Sequence, residues 1–232
     1  MGAPWVIRMR WLDLLFAHWP LDAAALAATL PPPLELDTFG GRAWLGIVPF
    51  TMADVSPRGL PAIPRYSTFP ELNVRTYVRH RGLPGVWFLS LDAMSWPVVR
   101  GARRVFHLPY VHARMRSVRS GELVTYVAAR DDPDDVGARF EARFRASGPV
   151  VRAADGTFED WATNRMRLFS ADSRGRLWRS EIAHAAWPIQ PAEAAIDAAE
   201  LAGAHGLTLS DEPPHLLYAR RLDVHGWLPV RA

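Results

Sequence analysis

Alternation with a period of two residues recurs along this chain, and it restricts the possible folds more than any other feature. The segment Leu72-Asn73-Val74-Arg75-Thr76-Tyr77-Val78-Arg79 puts Asn73, Arg75 and Tyr77 on one face and Val74, Thr76 and Val78 on the other. Ala138 to Ala146 separates Arg139, Glu141, Arg143 and Arg145 from Ala138, Phe140, Ala142 and Phe144. Leu123 to Ala129 alternates in the same way. Successive side chains of a strand point to opposite faces, so these segments are half-buried strands and not helices. Three further stretches read as strands: Ala43 to Phe50, an apolar run, Gly85 to Leu91, and Leu216 to Val224. Met166 to Ala171 and Arg176 to Ile182 form a hairpin about the turn Ser173-Arg174-Gly175.

Helix signals are few and short. Asp22 stands as N-cap before Ala23 to Leu30, and Pro31-Pro32-Pro33 stops that helix. Thr157 caps a helix that must end before the strand at Met166. Asp92 to Arg103 carries Ala93, Trp96, Val99 and Ala102 at helical spacing, with Pro97 tolerable in a first turn. Pro191 to Ala202 reads as the clearest helix, with Pro191 near its start and Gly203 as its C-cap. Ser56 to Pro70, which holds four prolines, and the acidic Asp131 to Asp135 read as loops. No regular strand–helix–strand spacing is present. The expectation is an α+β, mainly β fold, rich in antiparallel strands, with a few short helices in one domain over residues 1–232.

Composition narrows the chemistry. The chain contains no cysteine, which excludes disulfides, Cys–zinc sites and thiol nucleophiles. All 27 basic residues are arginine. Without a lysine amine, no side chain can form a Schiff base, and a P-loop lacks its lysine. The net charge is +3, and the arginines are interleaved with Asp and Glu, so no basic stripe suggests a nucleic-acid partner. His107 and His112 lack the companion ligands of a metal motif, and no metal or cofactor is expected. No run approaches the ~18 apolar residues of a membrane helix. Met1 to Arg10 has no continuous apolar core of a signal peptide, so a cytoplasmic protein away from membranes is expected. A homo-oligomer is left open.

Several stretches, in order, resemble the YqjF-like family of uncharacterised bacterial proteins: WLDLLFAHWP, LPPPLELD, GGRAWLGIVPF, FPELNVRTYV, GVWFLSLDA, ARRVFHLPYVHARM, GRLWRSEIAHAAWPIQPAE and LLYARRLDVHGWLP. That family is similar in fold to acetoacetate decarboxylase. Leu21-Asp22 through Leu26 to Leu30-Pro31, then Pro33-Leu34-Glu35-Leu36-Asp37, resembles the decarboxylase pattern of a short helix followed by Pro-Leu-Glu-Ile-Asp. Asp92 to Tyr110 resembles the stretch leading to its active-site Pro-Lys-Lys, with Pro109 at the proline and Tyr110-Val111 at the two lysines. The resemblance implies a cone-like antiparallel barrel with an internal pocket from which the catalytic lysine pair is missing.

In such a barrel, two segments are richest in polar candidates. Glu71, Asn73, Arg75 and Tyr77 would line the pocket with Tyr110, and His112 or Arg114 would stand near its mouth. Asn73, Arg75 and Tyr77 could equally face solvent. Tyr110 could donate a hydrogen bond to a carbonyl or carboxylate, His112 could serve as acid or base, and Arg75 or Arg114 could clamp a carboxylate. Tyr110, His112 and Arg114 fit a structural hydrogen-bond network as well. Glu181 is expected in a surface pair with Arg179, and the aromatic clusters His18-Trp19-Pro20 and His225-Gly226-Trp227 in packing. The expected function is binding of a small organic ligand, plausibly a carboxylate, without Schiff-base decarboxylation. The alternative is a lysine-independent lyase, hydratase or isomerase acting on an oxo-acid-like molecule. It would use Tyr110 and His112 for proton transfer.

Overall fold

The computed structural model describes residues 4–63, 67–133 and 135–232. Its elements in chain order are β1 (Ile7–Leu21), α1 (Ala23–Ala27), β2 (Glu35–Leu36), β3 (Ala43–Pro57), β4 (Phe69–His80), β5 (Leu83–Ala93), α2 (Trp96–Val105), β6 (Tyr110–Ser120), β7 (Leu123–Asp132), β8 (Asp135–Ala146), α3 (Phe158–Thr163), β9 (Arg167–Ala171), β10 (Leu177–His184), β11 (Ile189–Asp197), α4 (Ala199–Gly203), β12 (His215–Gly226) and β13 (Val230–Arg231). Both expected N-caps form: Asp22 accepts from the Ala25 amide, and Thr157 from the Asp160 amide.

Nine strands close into a barrel in the order β4-β5-β6-β7-β8-β11-β12-β1-β3. The wall forks at two strands. β5 pairs in parallel with β6 through Leu91, Asp92 and Ala93, and in parallel with β9 through Val86 and Trp87. β12 pairs with β11 through Leu217–Ala219, and with β10 through Val224–Gly226. Since β9 and β10 also pair with each other, a second ring closes through β5-β9-β10-β12-β1-β3-β4.

The sheet shared by the two rings is therefore covered on both faces. That explains its composition, because a strand buried on both sides reads as a continuous apolar run. Leu14 to Pro20 in β1 and Leu45 to Phe50 in β3 are buried without alternation. One core, built on Leu15, Ile47, Leu72, Val74, Tyr126, Phe140 and Phe144, fills the side toward β6, β7, β8 and β11. A second core, with Phe16, Phe50, Phe88, Trp187 and Leu222, lies toward β9, β10 and α2. The solvent-facing strand β8 keeps the alternation that its sequence shows, exposed at Arg139, Glu141, Arg143 and Arg145.

The helix expected over Pro191 to Ala202 does not form. Ile189–Asp197 is strand β11, and only Ala199–Gly203 is helical. Residues 192–197 pair one-to-one with β8, from Ala192↔Ala146 to Asp197↔Glu141, and Ile189–Pro191 pair with β12. Without this strand the nine-strand ring would stay open with two unpaired edges. The helix preference of an alanine-rich segment is a few tenths of a kcal/mol per residue and loses to that closure. Among the described residues the longest helix is α2, with Pro97 in its first turn. The two expected loops are also shorter than their sequences suggest. β3 extends to Pro57 and β4 starts at Phe69, while Asp132 ends β7 and Asp135 begins β8. Residues 64–66 of the first loop and Asp134 of the second lie outside the described residues, as do residues 1–3 of the Met1 to Arg10 stretch. No helix among the described residues is long and apolar enough to cross a membrane.

Candidate functional site

A cavity of about 440 Å³ lies inside the second ring, between the shared sheet and the layer formed by β9, β10 and α2. Its size falls in the ordinary range for small-molecule sites. Local backbone irregularities aim side chains into it. On β1 the lining switches from odd positions (Ile7, Met9, Trp11) to even ones (Leu14, Phe16). The switch falls at Asp13, which adopts a left-handed φ of 48°, within a break of register against β3. On β3 the change from Val48, Phe50 and Met52 to Val55 falls at Asp54, with φ of 53°. On β5 a bulge opposite Val74 and Arg75 separates Phe88 from Leu91. An extra residue re-aims the side chains that follow it, so each long strand keeps one face on the cavity.

β4 supplies the polar wall. Glu71, Asn73 and Arg75 all line the cavity, as their shared face requires. Glu71 and Asn73 are 2% and 7% exposed, so the solvent-facing alternative fails for them. The Tyr110 hydroxyl donates to Glu71 Oε2 at 3.0 Å. Burial pushes the Glu71 carboxyl up to about 7, with a smaller upward push from Asp92. Hydrogen bonds from Tyr110 and Asn73 act against the rise. Tyr110 is held well above the usual phenol range by burial and by the adjacent Glu71 charge, so it is neutral and serves as a donor.

Arg75 lies deeper. Gly46 sits opposite it in the register, and a Cβ there would stand 3.3 Å from the His18 ring and 3.4 Å from the Arg75 stem. The missing side chain gives both residues their room. The Arg75 guanidinium donates to Ala162 O at 3.2 Å and to the Tyr77 hydroxyl at 3.4 Å, and it lies 5.4 Å from the centre of the Phe16 ring. Its Nε has no partner, and among the described residues it forms no ion pair. Tyr77 shares the β4 face but lies behind Arg75, fully buried, where its hydroxyl donates to Ala162 O at 3.1 Å and meets His18 Nε2. Because that hydroxyl gives its proton to Ala162, His18 donates from Nε2. Burial, then the charges of Arg75 and His215, drive the His18 pKa well down, so the ring is neutral.

Helix α3 covers this deep end. Buried Asp37 accepts from Arg79 at 2.8 Å, Arg165 at 2.7 Å and the Trp161 indole at 3.3 Å, and the Arg165 guanidinium lies 4.6 Å from the Trp161 ring centre. Arg165 lines the cavity, and no pattern around it in the sequence marks it as a pocket residue. Trp11 and Trp187, stacked at 5.7 Å, form part of the aromatic wall. Glu181 is half-exposed beside Arg179 and Arg167, at 3.6 and 3.7 Å, as its surface pairing suggests, and it also borders the cavity with His184.

His112 and Arg114 are not brought to the cavity, which corrects their expected place at its mouth. His112 stacks on Trp96 at 4.3 Å, meets Asp131 through Nδ1 at 2.6 Å and Met94 O through Nε2 at 2.9 Å. The Arg114 side chain is 78% exposed and lies 3.4 Å from Asp131. The alternation that links them to Tyr110 breaks where β6 changes neighbour. Tyr110 starts the strand against β5, whereas from Ala113 onward β6 pairs with β7 and buries Ala113 and Met115 in the other core. Among the described residues no three His, Asp or Glu side chains gather as a metal ion would need.

A barrel forked at two strands, with its cavity between the shared sheet and a two-stranded flap, defines the acetoacetate decarboxylase-like fold. Acetoacetate decarboxylase from Legionella pneumophila superposes with a TM-score of 0.69 at 13% identity, over 100% of this chain and 93% of that one. The enduracididine biosynthesis enzyme MppR complexed with pyruvate gives 0.66 at 13% identity, over 98% and 91%. An acetoacetate decarboxylase-like enzyme from Sphingomonas wittichii RW1 gives 0.63 at 14%, over 99% and 95%. At such identities the likeness carries the fold alone. The chain belongs to the family DUF2071, described as "Uncharacterized conserved protein", whose model matches residues 8–223. It is 43% identical over 227 residues to the "Uncharacterized protein YqjF" of Bacillus subtilis (strain 168), covering 98% of this chain and 92% of that protein.

Proposed function

We propose that this protein binds a small organic carboxylate in the cavity of the second ring, with Arg75 as its anchor, and that it does so without Schiff-base chemistry. The observation that carries this reading is Arg75, a cavity-lining guanidinium with an unpartnered buried Nε and no carboxylate beside it. A half-buried guanidinium with an unpartnered Nε gains from a partner, and a bound carboxylate supplies one with the matching planar geometry. Tyr110 and Asn73 stand along the same wall, both hydrogen-bonded to Glu71. With lysine absent from the sequence, the amine that forms an iminium in a decarboxylase of this fold has no counterpart among the side chains. The working picture is a cytoplasmic protein acting on a small molecule and not on nucleic acid.

Calorimetric titration with acetoacetate, pyruvate and hexanoate tests the reading. At least one should bind, and Arg75→Ala should weaken that binding by about 10–100-fold, the worth of a charge-assisted hydrogen bond. The circular dichroism spectrum should stay unchanged. Binding that is unaffected by the substitution, or no binding of any of the three, overturns it.

Glu71 favours a second reading, a lysine-independent lyase or isomerase. A buried carboxyl that titrates near 7, hydrogen-bonded to Tyr110 inside the cavity, is a suitable proton-transfer group. Tyr110 and Glu71 take the place of the Tyr110 and His112 pair that the sequence suggests. Deuterium uptake from solvent at carbon next to the carbonyl of pyruvate or acetoacetate, followed by proton NMR and lost in Glu71→Gln, is the expected result. Exchange at the rate of buffer alone rejects it.

A further inference from the structure

Resting on the carboxylate reading, we infer that the ligand is a monocarboxylate with an extended apolar tail, and not a short polar oxo acid. The cavity is polarised along its length. Arg75 and the α3 cover lie at one end, next to Phe16. At the other end the shared sheet presents apolar rungs, where Met52 pairs with Phe69 and the lining continues through Val55 to Met9 and Ile7, while Glu181 and His184 border the cavity from β10 on the facing wall. Phe69 stands six residues from Arg75 along β4, about 20 Å of strand and about 15 Å of barrel axis at the usual tilt. A two- to four-carbon acid held by Arg75 would leave most of that apolar wall against water, and an alkyl chain would cover it. The opening fits as well. Val105 of α2, a lining residue, is 48% exposed, so an apolar side chain borders the opening of the cavity. Arg75 and Glu71 share one wall, but Glu71 is hydrogen-bonded to Tyr110 and leaves the guanidinium free for the ligand's carboxylate.

The test is a chain-length series on the intact protein, read by quenching of the Trp11 and Trp187 emission and repeated by calorimetry: hexanoate, octanoate, decanoate, decanol and pyruvate. Each added methylene should tighten binding about fourfold, so decanoate should bind roughly two hundred times more tightly than hexanoate. Decanol should bind more weakly than decanoate in the wild type and about equally well in Arg75→Ala. A second variant, Met52→Gln, should flatten the length dependence from hexanoate to decanoate. If pyruvate and hexanoate bind through Arg75 but affinity does not rise with length, this inference falls and the carboxylate reading stands. If affinity rises with length but Arg75→Ala has no effect on it, the anchor is wrong and both fall.

Discussion

Replacing Glu71 by Gln should stabilise this protein in alkaline solution and do so progressively as pH rises. The carboxyl lies buried in the cavity wall, and burial raises it from an ordinary 4.5 to about 7. The folded state thus holds a proton that the unfolded chain releases between those two values. Stability from the neutral carboxyl is full below pH 4.5 and is lost as pH rises toward 7. At about 1.36 kcal/mol per pH unit, the gap between 4.5 and about 7 is worth about 3 kcal/mol once both states are ionised. At pH 5 the same term is below about 1 kcal/mol. Gln cannot ionise, keeps the shape, and still offers Tyr110 an oxygen acceptor at the 3.0 Å position. The stability difference between variant and wild type should therefore grow by about 2–3 kcal/mol between pH 5 and pH 8. For a chain of this length that is roughly 5–10 °C in Tm. Thermal unfolding by circular dichroism at pH 5, 6, 7 and 8 measures it. A difference that is constant with pH, or a variant that loses stability on going to pH 8, refutes the argument that Glu71 titrates in a dry site.

The same ionisation should act on binding: hexanoate or decanoate affinity should fall as pH rises through about 7 in the wild type and stay level in Glu71→Gln, as seen by titration at pH 6 and 8. Arg130 is wholly buried and holds Asp92 through two hydrogen bonds of 2.9 Å, with Asp135 at 2.6 Å, so Arg130→Ala strands a buried carboxylate and should cost about 3–5 kcal/mol in a urea unfolding experiment. Loss below about 1 kcal/mol would mean that Asp92, already raised by burial, simply takes up a proton. Incubation with acetoacetate and borohydride should add no mass to any internal peptide, because no lysine can form the reducible iminium.

The strand content, the two short capped helices and the hairpin at Ser173-Arg174-Gly175 follow from local sequence alone. Alternation and capping act between residues a few positions apart, and the structure keeps them. The loss of the amine chemistry is likewise a matter of composition. The shared face of Glu71, Asn73 and Arg75 is legible in the period of β4, but whether that face met solvent or a cavity was not, since period fixes which residues lie together and not what lies opposite. Tertiary structure decided that through β9, β10 and α2, and it decided three other matters. It made a strand of the alanine-rich 189–197 segment, because only closure of the ring between β8 and β12 gives that backbone its partners. It separated His112 and Arg114 from Tyr110, because β6 exchanges one neighbour for another within three residues. And it brought Arg165 from a distant loop onto Asp37 and over the deep end of the cavity, a contact 128 residues apart along the chain that no local pattern encodes.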